Sequence, residues 1–216
     1  LSPWFPYPLD TGFRIRVYHQ LRALAQHHKV TLLTLDPQGW APAQVKPVEP
    51  LCQQVAVIPK DPFRRGRLRT ATRFLSLKPI VNIPFPEMSH LVHQLHAEQP
   101  FDVAIASSTL MAHYALALPG IPHVLEEHNS FTRWRHARYL SQTSLQQRLR
   151  CWVSWRKSFR YESRLFGFFD LVTMVSEKDA IVARGFSTDG HPPVFVVPNG
   201  VDCEHNQLGL ATVTPN

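Results

Sequence analysis

The chain has 216 residues, 44% of them hydrophobic and 18% charged, which suffices for one sizeable core and excludes a disordered chain. A formal net charge of +7 and a pI of about 9.7 favour an anionic partner, whether nucleic acid, a lipid surface or a phosphorylated ligand. No run approaches the ~18 apolar residues of a membrane span, and the opening "LSPWFPYPLD" lacks the basic and apolar regions of a signal peptide. Cys52, Cys151 and Cys203 are scattered without metal or CxxC spacing and read as reduced thiols of a cytosolic protein. With Leu rather than Met as its first residue, the chain is expected to continue upstream.

In chain order, Leu1–Phe5 reads as the stump of a strand. The loop "PYPLDTG" follows, then a helix from Phe13 to about His28, with Val17, Leu21, Leu24 and Ala25 on one buried stripe. "KVTLLTL" (29–35) and "QQVAVIP" (53–59) are short β-branched runs separated by a Pro-rich connector. Residues 60–86 are Arg-rich and hold at most a short helix around 67–77. A helix over 87–98 leads to the strand pattern "FDVAIAS" (101–107), a short helix (109–118) and the strand "PHVLEEH" (122–128). Residues 131–169 are largely helical. "DLVTMVS" (170–176), a helix over 177–184 and "PVFVVPNG" (193–200) complete the order. Strands apolar on both faces and alternating with helices predict an α/β, doubly wound, mainly parallel sheet with helices on both faces.

Four stretches carry candidate chemistry. In "DTGFRIR" (10–16), Gly12 between the first strand and first helix permits close backbone approach, and Arg14 and Arg16 add charge beside the helix N-terminus. The plainer reading is a turn glycine with solvated arginines. "EEHNS" (126–130) leaves a strand end with two carboxylates, an imidazole and an amide: His128 is the candidate catalytic residue, and Glu127 and Asn129 candidate substrate contacts. No second cluster nearby has metal-ligand spacing. The stretch 131–169 carries nine Arg/Lys and one acid, Glu162. From Leu145 onward, Leu145, Leu149, Trp152, Phe159 and Phe166 project to one side, and Arg150, Lys157, Arg160 and Arg164 to the other. That pattern suits a helix lying on an anionic membrane, yet also an ordinary helix whose apolar side packs on the sheet, which is the expectation adopted. The basic stretch Lys60–Lys78 lacks interleaved aromatics and any nucleic-acid signature, and reads as a solvated loop.

Taken together, "DTGFRIRVYHQLRALAQHHKVTLLTL", "VLEEHN", "DLVTMVSEKDA" and "VVPNGVD", in that order, resemble the N-terminal, acceptor-side domain of GT-B-fold family 4 glycosyltransferases, over Leu1 to Asp202. These are two-domain enzymes that transfer a sugar from a nucleotide-sugar with retention of configuration. The resemblance implies that Gly12 lies near donor phosphates and acceptor, that His128 sits beside the transferred sugar, and that Asn199 and Gly200 form the turn at the interdomain cleft. Phe13 stands where many relatives carry a second glycine, a departure at a candidate substrate position, and Arg14 and Arg16 match basic residues of the family. Residues 203–216 would be linker, with a C-terminal nucleotide-sugar domain beyond, so the chain alone is expected to be inactive. The partners implied are a nucleotide-sugar donor, a glycan or lipid-linked acceptor and an anionic membrane surface, rather than nucleic acid. No cofactor or metal is expected, and the location is cytoplasmic, at the inner membrane face. The alternatives are a non-catalytic peripheral membrane or polyanion-binding module, or a fragment of a nucleotide-sugar epimerase of the same fold.

Overall fold

A strand that is apolar on both faces must be covered on both, and the β-branched runs meet that requirement as parallel strands between helices. The computed structural model describes residues 1–37, 45–62, 84–186 and 189–200. Within them lie β1 (Thr31–Leu35), β2 (Gln54–Ile58), β3 (Ala104–Ser107), β4 (His123–Glu127), β5 (Leu171–Met174) and β6 (Val194–Val196). β1 pairs with β2, and β3 through β6 pair in sequence order, all parallel.

The first residues join these two sets. Ser2 N donates to Leu33 O at 2.9 Å and Leu35 N to Ser2 O at 3.3 Å, while Ser107 N donates to Leu1 O at 2.8 Å. Leu1-Ser2 therefore occupies the position between β1 and β3. From that seam the chain first steps outward through β1 and β2, then returns and steps the other way through β3 to β6. The order reverses beside Leu1-Ser2, and parallel sheets bind ligands at such a reversal, outside the strand carboxyl ends.

The helices are α1 (Gly12–Leu24), α2 (Pro86–Glu98), α3 (Ala112–Ala115), α4 (Phe131–Leu140), α5 (Leu145–Phe166) and α6 (Glu177–Arg184). Their starts follow local chemistry. The Thr11, Ser130 and Ser176 hydroxyls accept from the backbone N–H groups of Arg14, Arg133 and Asp179 respectively, and Pro86 opens α2. Alternation along β1 divides the core. Leu32 packs with Phe5, Val17, Leu21 and Val48 under α1, whereas Leu33 and Leu35 join Met88, Val92, Leu125 and Phe166 on the opposite face. Helices thus cover both faces of a doubly wound sheet, as the sequence predicts. None of the described helices is long and apolar enough to cross a membrane.

Three expectations are corrected. The first helix ends at Leu24 rather than near His28, because His27 N turns back three residues to Leu24 O in a tighter final turn. The helix expected over 109–118 shrinks to Ala112–Ala115, since Ser108 takes a left-handed φ of 83° and commits the next residues to a turn. Residues 131–169 are largely helical as expected, in two helices joined by the polar Ser141–Ser144 link and packed as a hairpin. Finally, the apolar side of α5 is not all packed on the sheet: Leu145, Leu149 and Trp152 are 84%, 63% and 41% exposed, while Phe166 is buried. A helix of 22 residues is about 33 Å long and overshoots the four-residue strands beneath it. The possible helix at 67–77 lies outside the described residues.

Candidate functional site

The sheet reversal collects side chains from α1, the end of β3 and the end of β4. Arg16, on the second turn of α1, sends Nε to Glu126 Oε1 at 2.6 Å in an ion pair whose side chains are 6% and 5% exposed. Gln20, one turn further on, donates to the same oxygen. The other oxygen, Glu126 Oε2, accepts from Ser107 Oγ at 2.9 Å, and Ser107 Oγ lies 3.2 Å from His128 Nε2. A serine has one proton to give. With that proton on Glu126, the Ser107 oxygen accepts from His128, which places the imidazole hydrogen on Nε2 and leaves Nδ1 as an acceptor.

Burial pushes the His128 pKa down to about 4; the Glu126 carboxylate opposes the shift and the Arg16 guanidinium adds to it. The imidazole is therefore neutral at pH 7. Its ring packs on Phe13, centroids 4.3 Å apart and planes tilted by 32°, and Phe13 meets Trp4 edge-on at 4.7 Å. Phe13 therefore acts as an aromatic wall that fixes the imidazole plane. Arg16 also donates from Nη1 to Asn199 Oδ1 at 3.0 Å, 183 residues away, while its buried Nη2 has no hydrogen-bond partner among the described residues.

The other sequence candidates are placed as follows. Gly12 is the first residue of α1, exposed, and a Cβ there would meet open space. Arg14 pairs with Asp10 across one helical turn at 2.9 Å, on the rim. Asn129 is exposed beside His128, and Gly200 is exposed beside Asn199. Glu127 lies outside the cluster: it is 2% exposed and accepts from the Thr109 N–H and hydroxyl. Burial raises its pKa to about 8, with Glu162 and Glu126 adding repulsion and Thr109 opposing. Arg150, Lys157, Arg160 and Arg164 lie on α5, none of them in this cluster. Glu126, Ser107, Gln20 and Trp4 are the residues that sequence reading did not select. The pair "EE" was visible, but alternation on a strand buried on both faces does not say which acid looks toward the ligand crevice. Among the described residues, no three His, Cys, Asp or Glu side chains gather to hold a metal ion.

The fold and site define a doubly wound α/β domain with a charged, aromatic-walled polar cluster at its sheet reversal. The family model described as Glycosyltransferase Family 4 matches residues 11–205, and the chain belongs to that family. No curated protein sequence matches it significantly.

Proposed function

We propose that this domain is the acceptor-side half of a retaining glycosyltransferase that moves a sugar, of hexosyl type, from a nucleotide-sugar to a glycan or lipid-linked acceptor. The observation that carries this reading is the continuous chain from Arg16 and Gln20 through Glu126 and Ser107 to His128 at the switch point of a family 4 domain. The reaction breaks the bond from the sugar's anomeric carbon to the donor diphosphate and forms one from the acceptor oxygen to that carbon. The acceptor's hydroxyl proton departs with the diphosphate.

A neutral imidazole held by Ser107 and Phe13 suits this work. Its Nδ1 would accept a hydrogen bond from a hydroxyl of the sugar or acceptor, fixing the reacting oxygen without adding a competing positive charge. The buried Nη2 of Arg16 would take an oxygen of the bound substrate as its missing partner, opposing charge that develops on the leaving group. A second domain facing the strand ends would hold the nucleotide, with Gly12, Asn199 and Gly200 at the edge of the closing cleft. No metal or other cofactor is invoked. The scattered free thiols Cys52 and Cys151 suit a cytoplasmic setting.

The test is His128→Ala in the complete two-domain enzyme, read as acceptor-dependent release of nucleoside diphosphate. A fall of at least tenfold (about 1.4 kcal/mol of barrier) with unchanged far-UV circular dichroism is expected. Wild-type turnover would remove His128 from the site.

A further inference from the structure

The hairpin of α4 and α5 presents a surface that the transfer chemistry leaves unused. One face of α5 packs inward through Trp155, Ser158, Glu162 and Phe166. Trp155 stacks with Tyr139 and His136 of α4, and Ser158 accepts from Arg135. About a quarter turn round from that face, toward the N-terminal end of α5, lies an apolar stripe, Leu145, Leu149 and Trp152, at i, i+4 and i+7, and all three are exposed. Trp134 and Leu140 of α4 are more than half exposed as well. Residues 131–166 hold nine Arg/Lys and one acid. That acid, Glu162, is buried and spent internally on the Phe131 and Thr132 N–H groups at 2.9 and 3.0 Å. The outward face is thus apolar at its centre and entirely cationic among its charged groups.

We propose that this face docks on an anionic phospholipid bilayer, with Leu145, Leu149 and Trp152 at the boundary of headgroups and acyl chains and the flanking arginines over lipid phosphates. Charge complementarity selects an anionic surface, and the exposed leucines select one with hydrocarbon beneath it. A nucleic acid would reward stacking rings and cations, but offers nothing to Leu145 and Leu149. The hairpin is anchored beside the transfer site: α4 begins at Phe131, three residues after His128. Its cap Ser130 is held by Asp179 through the Ser130 N–H at 3.2 Å and by Glu162 through the hydroxyl at 3.4 Å. Docking would therefore hold the site in a fixed relation to the membrane. The inference goes beyond the transfer reading and does not depend on it.

Flotation of the whole chain with neutral phosphatidylcholine vesicles, and with vesicles containing phosphatidylglycerol, tests the proposal. Binding is expected to the anionic vesicles alone, weakening as salt shortens the screening length from about 10 Å at 0.1 M to about 3 Å at 1 M. Combining Arg148→Gln, Arg150→Gln and Arg160→Gln should weaken binding about a hundredfold. Leu145→Gln with Leu149→Gln should weaken it at least tenfold and abolish quenching of tryptophan fluorescence by acyl-brominated lipid, without moving the melting temperature. Three results would overturn the proposal: no vesicle binding at low salt, full binding by the leucine variant, or a solution dimer that the leucine variant dissociates and that excludes vesicles. His128→Ala should bind vesicles normally, so failure of docking and failure of transfer are read separately.

Discussion

Breaking the Arg16–Glu126 pair tests whether the site's charges are kept for the fold or for the substrate. The two groups are 2.6 Å apart and almost wholly removed from water. Arg16→Met or Glu126→Leu alone leaves a buried charge without its partner, a loss of about 3–5 kcal/mol. For a chain of this size, at roughly 2–4 °C per kcal/mol, the melting midpoint should fall by about 6–20 °C. The double variant removes both charges and replaces them with apolar volume. Ser107 and Gln20 then lose their acceptor, at about 1 kcal/mol each, so a net loss of about 1–2 kcal/mol is expected. The coupling between the two single changes is then at least ~4 kcal/mol, far outside the few tenths expected of independent sites. Urea unfolding followed by circular dichroism at pH 7 measures all four proteins. In the complete enzyme the double variant should lose transfer although most stability returns. Strict additivity, with the double as unstable as both singles combined, would refute the reasoning.

Glu127 holds a folded-state pKa of about 8, above its ordinary 4.5, so its contribution is fully present below pH 4.5 and is lost as pH rises toward 8 and beyond. Glu127→Gln should flatten that decline and make the variant more stable than the parent at pH 8.5; parallel urea midpoints against pH would sink the assignment. His113 and His128 are both lowered to about 4, chiefly by burial, so their contributions are present above pH 6.5 and lost as pH falls through that window toward 4. Among the described residues, neither buried ring nitrogen of His113 has a hydrogen-bond partner, and His113→Phe should add about 1 kcal/mol and shallow the acid limb of the stability profile, whereas an unchanged limb would assign that limb to other groups.

The layers of this domain were legible because parallel strands buried on both faces leave continuous apolar runs. β1, β2 and α6 follow their sequence patterns within two residues at either end. What could not be read is whatever depends on distant partners. Leu1-Ser2 looks like a fragment in isolation, yet it is the seam between two parts of the sheet, made by backbone bonds to β1 and β3 that leave no side-chain signature. Arg16 is 110 residues from Glu126 and 183 from Asn199, so only the topology of the sheet assembles that cluster. The periodicity of α5 showed an apolar stripe correctly, but a stripe does not reveal its cover. A helix that overshoots its sheet leaves Leu145 and Leu149 outside.

The adjacent acids at the end of β4 show how position decides what one residue type does. Strand alternation sends Glu126 toward Arg16, Gln20 and Ser107, and sends Glu127 to the other side, where it accepts from Thr109. The first acid is ion-paired and passes its hold through Ser107 to His128. The second has no ion pair among the described residues, and burial with Glu162 repulsion keeps it protonated at neutral pH. A one-residue register slip that brought Leu125 into the place of Glu126 would bury the Arg16 guanidinium against an apolar side chain. Register is thus specified here by charge as well as by apolar packing. The same short stretch then runs through His128 to Ser130, where α4 is capped and tied to α5 and α6 by Glu162 and Asp179. One strand end therefore fixes the imidazole's tautomer, the sheet register and the root of the basic hairpin. A change at Glu126 should consequently be felt at His128 through Ser107 before it is felt at the hairpin, whose ties run through separate carboxylates.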